Sequence, residues 1–493
     1  MSSQTVDHDA PPDRAAALAA IGAGTLDVLV VGGGIVGAAV ARDAALRGLR
    51  VGLVEQADFA SGTSGRSSRL LHGGLRYLAQ GRLRLVRQAG REKQVLRRIA
   101  GHLHLPLAFV FPAWRGSPWP LWKLRLGVRL YDRLCGPPED ERSTVLDAAG
   151  VLRLAPGLVT AGLRGAVRYF DALTNDARLV VDTLRSAVAA GAVVVNGCRL
   201  EWAERAGDGW RCGLRDTETD AALTARARCV VNAAGPWADR IPHSGLRLRL
   251  TKGVHLVVDR SRLPLAEAVV MTEGRRILFA IPWAQRVILG TTDTDWPGPP
   301  GDPGVDARDR DEVLGVVNRC FPDAGLGAAD VISCWAGLRP LIADRRGGPS
   351  DISRAHRILC PEPGWIDVAG GKLTTCRLMA REAVDLLARR LGTGHTPCRT
   401  ADQPVPDDPD IPFLVGLEPP AVHEQVVRQA VRREWALHLD DVMLRRAGWH
   451  HYCRDRLDIA ARVAGWMARE CGWSQARQAA EMDRYRRVFS PVE

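Results

Sequence analysis

The chain has 493 residues, enough for roughly two to four domains with sizeable cores. Its 46% hydrophobic and 25% charged residues exclude general disorder. The net charge of +11, carried mostly by arginine, points to anionic partners and leaves phosphorylated metabolites, anionic lipid and nucleic acid open. None of the eleven cysteines stands in a C-x-x-C pair and no zinc-like spacing is visible, so they read as reduced thiols of a cytosolic protein.

The opening "MSSQTVDHDAPPDR" is acidic and contains proline, and no long apolar run follows it. It does not read as a secretory signal. The longest apolar stretch, 28–41, is broken by four glycines and is too short to span a bilayer, so any membrane association is expected to be peripheral.

"LDVLVVGGGIVGAAVARDAALRGLRVGLVEQ" is the most informative segment. Residues 28–31 form a continuous apolar run, as expected of a central parallel strand buried on both faces. Gly32, Gly34 and Gly37 then fit G-x-G-x-x-G at a strand-to-helix turn. The first allows the tight turn, the second lets backbone approach a pyrophosphate, and the third lets helix pack on strand. The helix N-terminus offers N–H groups and a positive dipole end to that pyrophosphate. Residues 38–47 read as the helix, Gly48 ends it, and "LRVGLVE" reads as a second strand closed by Glu55, 23 residues after Gly32. An acidic residue there can accept hydrogen bonds from the ribose of an adenosine moiety.

"SSRLLHGGLRYL" (67–78) follows, ambiguous between a helix carrying polar residues and one wall of an anion site. On a helix His72 and Arg76, four residues apart, would share a side. In "FPAWRGSPWPLWKLRLGVRLYDRL", Leu121, Leu124, Val128 and Tyr131 keep helical spacing, Arg125, Arg129 and Arg133 form an i, i+4 row, and Trp119 and Trp122 lead it. Basic rows with tryptophans suit an anionic lipid surface. A helix docked on a neighbouring domain with its arginines in solvent is the commoner arrangement.

Further along, "CVVNAAGPWAD" is a short apolar strand ending in small residues and Gly235. "LRLRLTKGVHLVVD", "RRILFAIPW" and "RVILGTTD" read as strands of an antiparallel sheet. "CWAGLRPLI" places Arg339 in an apolar setting, and Arg354 and His356 would share a face on a strand. In "WIDVAGGKLTTCRLMAREAVDLLARRL" a strand runs into Gly370 and Gly371, and a helix begins near Thr374. Three nucleotide-facing strand ends favour FAD over a nicotinamide dinucleotide. A helix N-terminus preceded by Lys372 suits the pyrimidine edge of a flavin, where negative charge collects on reduction. "TADQPVPDDPDIPF" reads as a linker, and 421–487 is helical in pattern. His450 and His451 with Cys453 could hold a metal, but an HH pair on a helix is far more often structural, and no metal site is expected.

Over 26–446 the chain resembles the FAD-dependent glycerol-3-phosphate dehydrogenases, flavoproteins of the D-amino-acid-oxidase-like group. The matching segments, in the family's order, are "GGGIVGAAVARDAALRGLRVGLVE", "SGTSGRSSRLLHGGLRYL", "FDALTNDARLV", "VVNAAGPWAD", "LTKGVHLVV", "IPWAQRVILGTTDTD", "AGLRPL", "ISRAHRI" and "VAGGKLTT". The resemblance implies an α/β fold: a Rossmann-like FAD-binding domain, an antiparallel-sheet substrate domain and a small C-terminal helical domain. The expected division is a discontinuous FAD domain (25–95, 150–240 and 340–395), a substrate domain (96–149 and 241–339) and a helical domain (400–493).

The resemblance further implies oxidation of sn-glycerol 3-phosphate to dihydroxyacetone phosphate, with hydride passing from C2 to flavin N5 and electrons going on to a membrane quinone. Related oxidases use oxygen and carry an insertion not seen here, which favours the dehydrogenase. Another FAD-dependent oxidase of this fold, acting on an amine or amino acid, would need a carboxylate clamp and no phosphate cage. Nucleic-acid binding is not expected, because lysine-rich runs are missing and only 5% of residues are aromatic. The expected location is cytoplasmic, peripheral on the inner face of the cell membrane. The oligomeric state is left open, with a homodimer as the candidate assembly.

A glycerol phosphate carries about two negative charges near neutral pH, which calls for arginine geometry. By resemblance Arg76, Arg339 and Arg354 are the phosphate and substrate ligands, with Tyr77 and Lys372 beside them. Removing the hydroxyl proton as hydride leaves C2 calls for a base, and histidine has the appropriate intrinsic pKa. His255 is the first candidate, then His72, then His356, and Arg339 is grouped with the catalytic set. Asp293 in "GTTDTD" is expected to position its neighbours. Cofactor contacts are expected from Gly32, Gly34, Gly37, Glu55, Ser67, Ser68, Gly235, Gly371, Lys372, Leu373 and Thr374.

Overall fold

The computed structural model describes residues 13–78, 80–274, 276–301, 303–343, 355–393, 396–407 and 416–488. The apolar run at 28–31 lies in strand Thr25–Val31, which pairs in parallel with Val51–Val54 on one side and Ala222–Asn232 on the other. Parallel partners Val193–Val195 and Trp365–Ala369 extend this sheet outward. The two faces of the strand have different neighbours, as its period-2 alternation requires. Val28 and Val30 pack with helices Ile35–Leu46, Asp176–Ala189 and Cys376–Leu391, whereas Leu29 and Val31 pack toward Ile21, Trp210 and Trp365. Both faces are covered, which is why the run is apolar throughout.

The second sheet is mostly antiparallel. Its strand Leu248–Asp259 pairs with Val331–Ile342 on one side and with Arg286–Gly290 and Thr294–Asp295 on the other. Arg276–Trp283, Ala268–Glu273, Leu105–Trp114, Leu163–Leu173 and Leu70–Leu71 continue it. Val254, Leu256 and Val258 join the core under helix Ala307–Cys320. The alternate residues Gly253 and His255 are therefore left for the opposite face, where a cavity lies.

The layers divide the chain differently from the expected boundaries. Strand Leu163–Leu173, within the 150–240 piece assigned to the FAD domain, pairs from Leu105↔Leu173 to Trp114↔Leu163 in the second sheet. The first layer resumes only with helix Asp176–Ala189. The 67–78 segment is not a helix: Leu70–Leu71 is a short strand, Gly74 has φ +84°, and Leu75–Tyr77 is a single 3-10 turn. His72 and Arg76 therefore do not share a helical face. The glycine, in a region other residues rarely adopt, reverses the chain between them.

Residues 416–488 build the helical domain around Trp449 and Tyr485. It is tied to the first layer by buried ion pairs. Arg446 meets Asp58 at 2.7 Å, and Arg178 lies 2.6 Å from both Asp182 and Glu434. His438 bridges Glu218 through Nε2 and Glu481 through Nδ1, each at 2.9 Å. Burial opposes its charge, but the two carboxylates prevail and lift its pKa from 6.5 to about 10. Because the folded value is raised, this stabilisation is complete below the unfolded value of about 6.5 and is lost as pH rises through about 10. His438→Gln is expected to cost about 2 kcal/mol at pH 7. It should also flatten the decline in melting temperature between pH 7 and 10, as thermal unfolding across that range would show.

No described helix is long and apolar enough to cross a membrane.

Candidate active site

A cavity of about 640 Å³ lies between the strand ends of the first sheet and the face of the second. On the first-sheet side the glycines form a close-fitting cradle. Gly32 has φ +111°, and a Cβ on it would lie 2.5 Å from the Ala233 carbonyl oxygen. A Cβ on Gly37 would lie 1.9 Å from Gly32 O, and one on Gly34 would lie 3.0 Å from Ser64 Oγ. The helix begins at Ile35, whose N–H donates to Ser64 Oγ at 2.9 Å. Glu55 at the end of the second strand accepts from the N–H groups of Gly33 (2.7 Å) and Ala57 (2.9 Å), leaving lone pairs for ribose hydroxyls. Gly370 and Gly371, with φ +74° and +77°, turn the chain at the end of Trp365–Ala369. Lys372 and the 3-10 turn Leu373–Thr375 follow, so helix Cys376–Leu391 begins slightly later than expected. Gly32, Gly34, Glu55, Gly235, Gly371, Lys372, Leu373 and Thr374 all line the cavity. These residues fit a dinucleotide with its pyrophosphate at a helix N-terminus and a further group at the 370–375 turn, as FAD requires.

Gly37→Ala should force helix and strand apart, because the methyl has only backbone to meet. Protein purified with this change is expected to have lost most of its flavin absorbance and about 1–3 kcal/mol of stability. Flavin-to-protein absorbance ratios together with thermal unfolding would check this.

The other wall carries the polar chemistry. Arg339 on Val331–Ile342 donates through Nη1 to Thr292 O and to Asp293 Oδ1, both at 3.2 Å, and through Nη2 to Thr291 Oγ1 at 2.9 Å. Its guanidinium lies so close over Gly253 that a Cβ there would be 2.3 Å from Nη2. Two residues along, His255 lies 2.8 Å through Nε2 from Ser68 Oγ and stacks on Trp335, with ring centroids 5.1 Å apart and planes at 18°. Its Nδ1 is buried without a hydrogen-bond partner among the described residues. Burial, then the positive charges of Arg339 and Arg69, push its pKa down to about 3.

The 67–78 segment closes the site. Ser67 donates its hydroxyl to Asp176 at 2.6 Å, and Ser68 faces His255, so the two serines expected at the cofactor line the cavity with their hydroxyls turned to protein partners. The His72 N–H donates to Thr374 Oγ1 at 3.1 Å, joining this segment to the 373–375 turn. The Gly73 N–H donates to Tyr131 Oη (2.8 Å) and Asp171 Oδ1 (3.2 Å), within a buried group completed by Lys93. Lys372 Nζ stands 3.9 Å from the Tyr77 ring centroid, a cation–π contact. The Arg76 side chain and Arg354 lie outside the described residues. His356 is directed away: its Nε2 meets Glu382 Oε2 at 2.8 Å, and it does not line the cavity.

Trp335, Arg69 and Thr291 were not anticipated. Trp335 could have been found by strand alternation, since Trp335, Gly337 and Arg339 fall on one face of a single strand. Arg69 had no such signal. It has φ +56°, and its guanidinium stands 4.2 Å from the Trp283 ring centroid and 5.5 Å from that of Trp335.

Comparison with known proteins agrees with this architecture. Residues 27–386 match the family model described as FAD dependent oxidoreductase, and 416–478 match the C-terminal domain of alpha-glycerophosphate oxidase. The chain is 36% identical to glycerol-3-phosphate dehydrogenase 2 of Mycobacterium tuberculosis, over 96% of this chain and 89% of that protein. It is 38% identical to the aerobic glycerol-3-phosphate dehydrogenase of Staphylococcus aureus, over 76% and 70% respectively. The solved structure of glycerol-3-phosphate dehydrogenase from Bacillus halodurans, complexed with FAD, superposes with a TM-score of 0.80 at 29% identity, covering 98% of each chain. With the cradle, the second sheet and the helical domain all accounted for, the chain belongs to the FAD-dependent oxidoreductases and, among them, to the glycerol-3-phosphate dehydrogenase family.

Proposed function

We propose that this chain oxidises sn-glycerol 3-phosphate to dihydroxyacetone phosphate, with a membrane quinone as the final electron acceptor. The observation that carries this reading is the pairing of Arg339 and His255 on one sheet face, across the cavity from the glycine cradle. FAD, bound in that cradle, supplies the two-electron acceptor for the hydride leaving C2. Arg339 and Lys372 hold the phosphate, and Tyr77 beneath Lys372 fixes the position of that ammonium. Asp293 and Thr291 accept hydrogen bonds from the Arg339 guanidinium and hold it in place. His255 takes the C2 hydroxyl proton at Nε2, and Ser68 Oγ marks the place from which a hydroxyl reaches that nitrogen. His72 also lines the cavity, and its backbone N–H ties the 72–78 segment to the 373–375 turn. The first sheet with its helices forms the cofactor layer, and the second sheet forms the substrate layer.

The membrane part of this reading rests on helix Leu121–Cys135. Its buried row is Leu124, Val128 and Tyr131, while Trp122 (69% exposed), Leu126 (64%) and Leu130 (37%) form a second apolar row that faces outward. Arg125, Arg129 and Arg133 are exposed beside it. Leu126 and Leu130 also line the cavity, which places this amphipathic face at its mouth. A lipid-dissolved acceptor would approach there from the bilayer.

The test is anaerobic bleaching of the flavin spectrum by glycerol 3-phosphate compared with glycerol, followed by reoxidation with a quinone analogue or with oxygen. Bleaching by the phosphate alone and faster reoxidation by the quinone are expected. Bleaching by glycerol would remove the phosphate site, and faster reoxidation by oxygen would make the enzyme an oxidase.

A further inference from the structure

Among the contacts between the catalytic sheet and the helical domain, which include Trp283 against Tyr452, one reaches the active site. Trp335 is buried on Val331–Ile342, donates its indole N–H to Ser67 O at 3.2 Å, and stacks on His255. The same indole touches His451 of the C-terminal domain, with ring centroids 4.9 Å apart and planes at 56°. His451 is fixed in turn. Its carbonyl accepts from Ser333 Oγ at 2.8 Å, and its ring lies 4.9 Å from that of His450, whose Nδ1 is 2.8 Å from Tyr485 Oη. The His451 ring is buried, and its Nδ1 has no hydrogen-bond partner among the described residues. The contact it makes with Trp335 is ring against ring.

We propose that His451 is a positioning residue for the reaction: the helical domain holds Trp335 through the His451 ring, and Trp335 holds the His255 imidazole at the angle from which it takes the substrate proton. The inference rests on the reading of His255 as the base. Three contacts set that imidazole: Ser68 at Nε2, the Trp335 face, and Gly290, where a Cβ would lie 2.7 Å from Cδ2. Two of the three have no freedom to compensate for the indole, because Gly290 is backbone and Ser68 is a single hydroxyl. A tilt of Trp335 would therefore pass directly to the imidazole, and misplacement of a reacting group by about 1 Å can cost about a hundredfold in rate.

The charged and titratable groups around this stack are Arg339 and Arg69 near His255, and Arg69, Arg66, Arg456 and His450 near His451. Burial first, and then these cationic neighbours, disfavour the charged form of both imidazoles. Opening a gap beside Trp335 would admit water, hydrate His255 and move its protonation toward the ordinary histidine range.

The experiment compares His451→Ala, His451→Phe and His255→Asn as purified holoenzymes. His451→Ala is expected to lower kcat by roughly tenfold to a hundredfold, with a smaller change in KM, and to shift the acid limb of the kcat profile upward. His451→Phe keeps a flat ring against Trp335 and should restore both. If the alanine variant does not fold, His451→Leu, which fills the volume without a flat ring, takes its place with the same expected loss. An unshifted acid limb and wild-type kcat in the variant lacking the ring would overturn the inference, as would an equal loss in His451→Phe. A wild-type kcat in His255→Asn would instead overturn the underlying assignment of the base.

Discussion

His255→Asn is expected to lower kcat by roughly 10²–10⁴-fold while flavin stays bound, because His255 lies on the second sheet and makes no contact within the glycine cradle. Asparagine fits within the space of the imidazole, stops short of the Nε2 position beside Ser68, and cannot take up a proton. The pH dependence gives a sharper check. In the free enzyme, burial together with Arg339 and Arg69 holds His255 at about 3. Bound phosphate would offset the charge on Arg339, one of the two cations responsible, and so lift the imidazole toward its ordinary value. The sign follows: the acid limb of kcat, which reports the complex, should lie above that of kcat/KM, which reports the free enzyme. Steady-state profiles with a dye acceptor, corrected for the phosphate's own ionisation near about pH 6, would show it. Coincident limbs would mean that substrate charge does not reach His255.

The cradle was legible because its determinants are local. Strand, glycine turn, helix and Glu55 follow one another within residues 25–55, and Gly37 and Gly32 meet backbone five residues away or on the adjoining strand. His255 was legible for a related reason, since alternation along 248–259 already separates it from Val254 and Leu256. The partnership of His255 with Trp335 was not legible. It depends on the register of Leu248–Asp259 against Val331–Ile342, which brings together residues 80 positions apart. The same non-local pairing moved Leu163–Leu173 into the second sheet, where its partner Leu105–Trp114 lies. In 67–78, leucine spacing imitated a helix, but pairing of Leu70–Leu71 with the second sheet overrode it. Helix Leu121–Cys135 held two apolar rows in its sequence. Only burial distinguishes Leu124, Val128 and Tyr131, turned inward, from Trp122, Leu126 and Leu130, turned out.

Arg339→Ala is expected to lower kcat/KM for glycerol 3-phosphate by roughly 30- to 5000-fold, the equivalent of about 2–5 kcal/mol for removing one member of a desolvated charge pair. Flavin content should stay near that of the unaltered protein, since Arg339 belongs to the second sheet. Part of the loss has a specific origin. Arg339 now neutralises Asp293 at 3.2 Å, and without it that carboxylate would face a dianionic substrate across the cavity. Adding Asp293→Asn to Arg339→Ala should therefore recover activity, although Asp293→Asn alone should reduce it by loosening the guanidinium. That opposite sign is a double-mutant coupling which a merely structural arginine would not produce. Arg339→Lys should fall between, because an ammonium restores the charge but cannot reach Thr291, Thr292 and Asp293 while also presenting two parallel N–H groups to phosphate. Steady-state kinetics of the four variants, read beside their flavin spectra, would decide the matter. Loss of flavin from Arg339→Ala with unchanged affinity for substrate would move this arginine from the substrate site to the cofactor's.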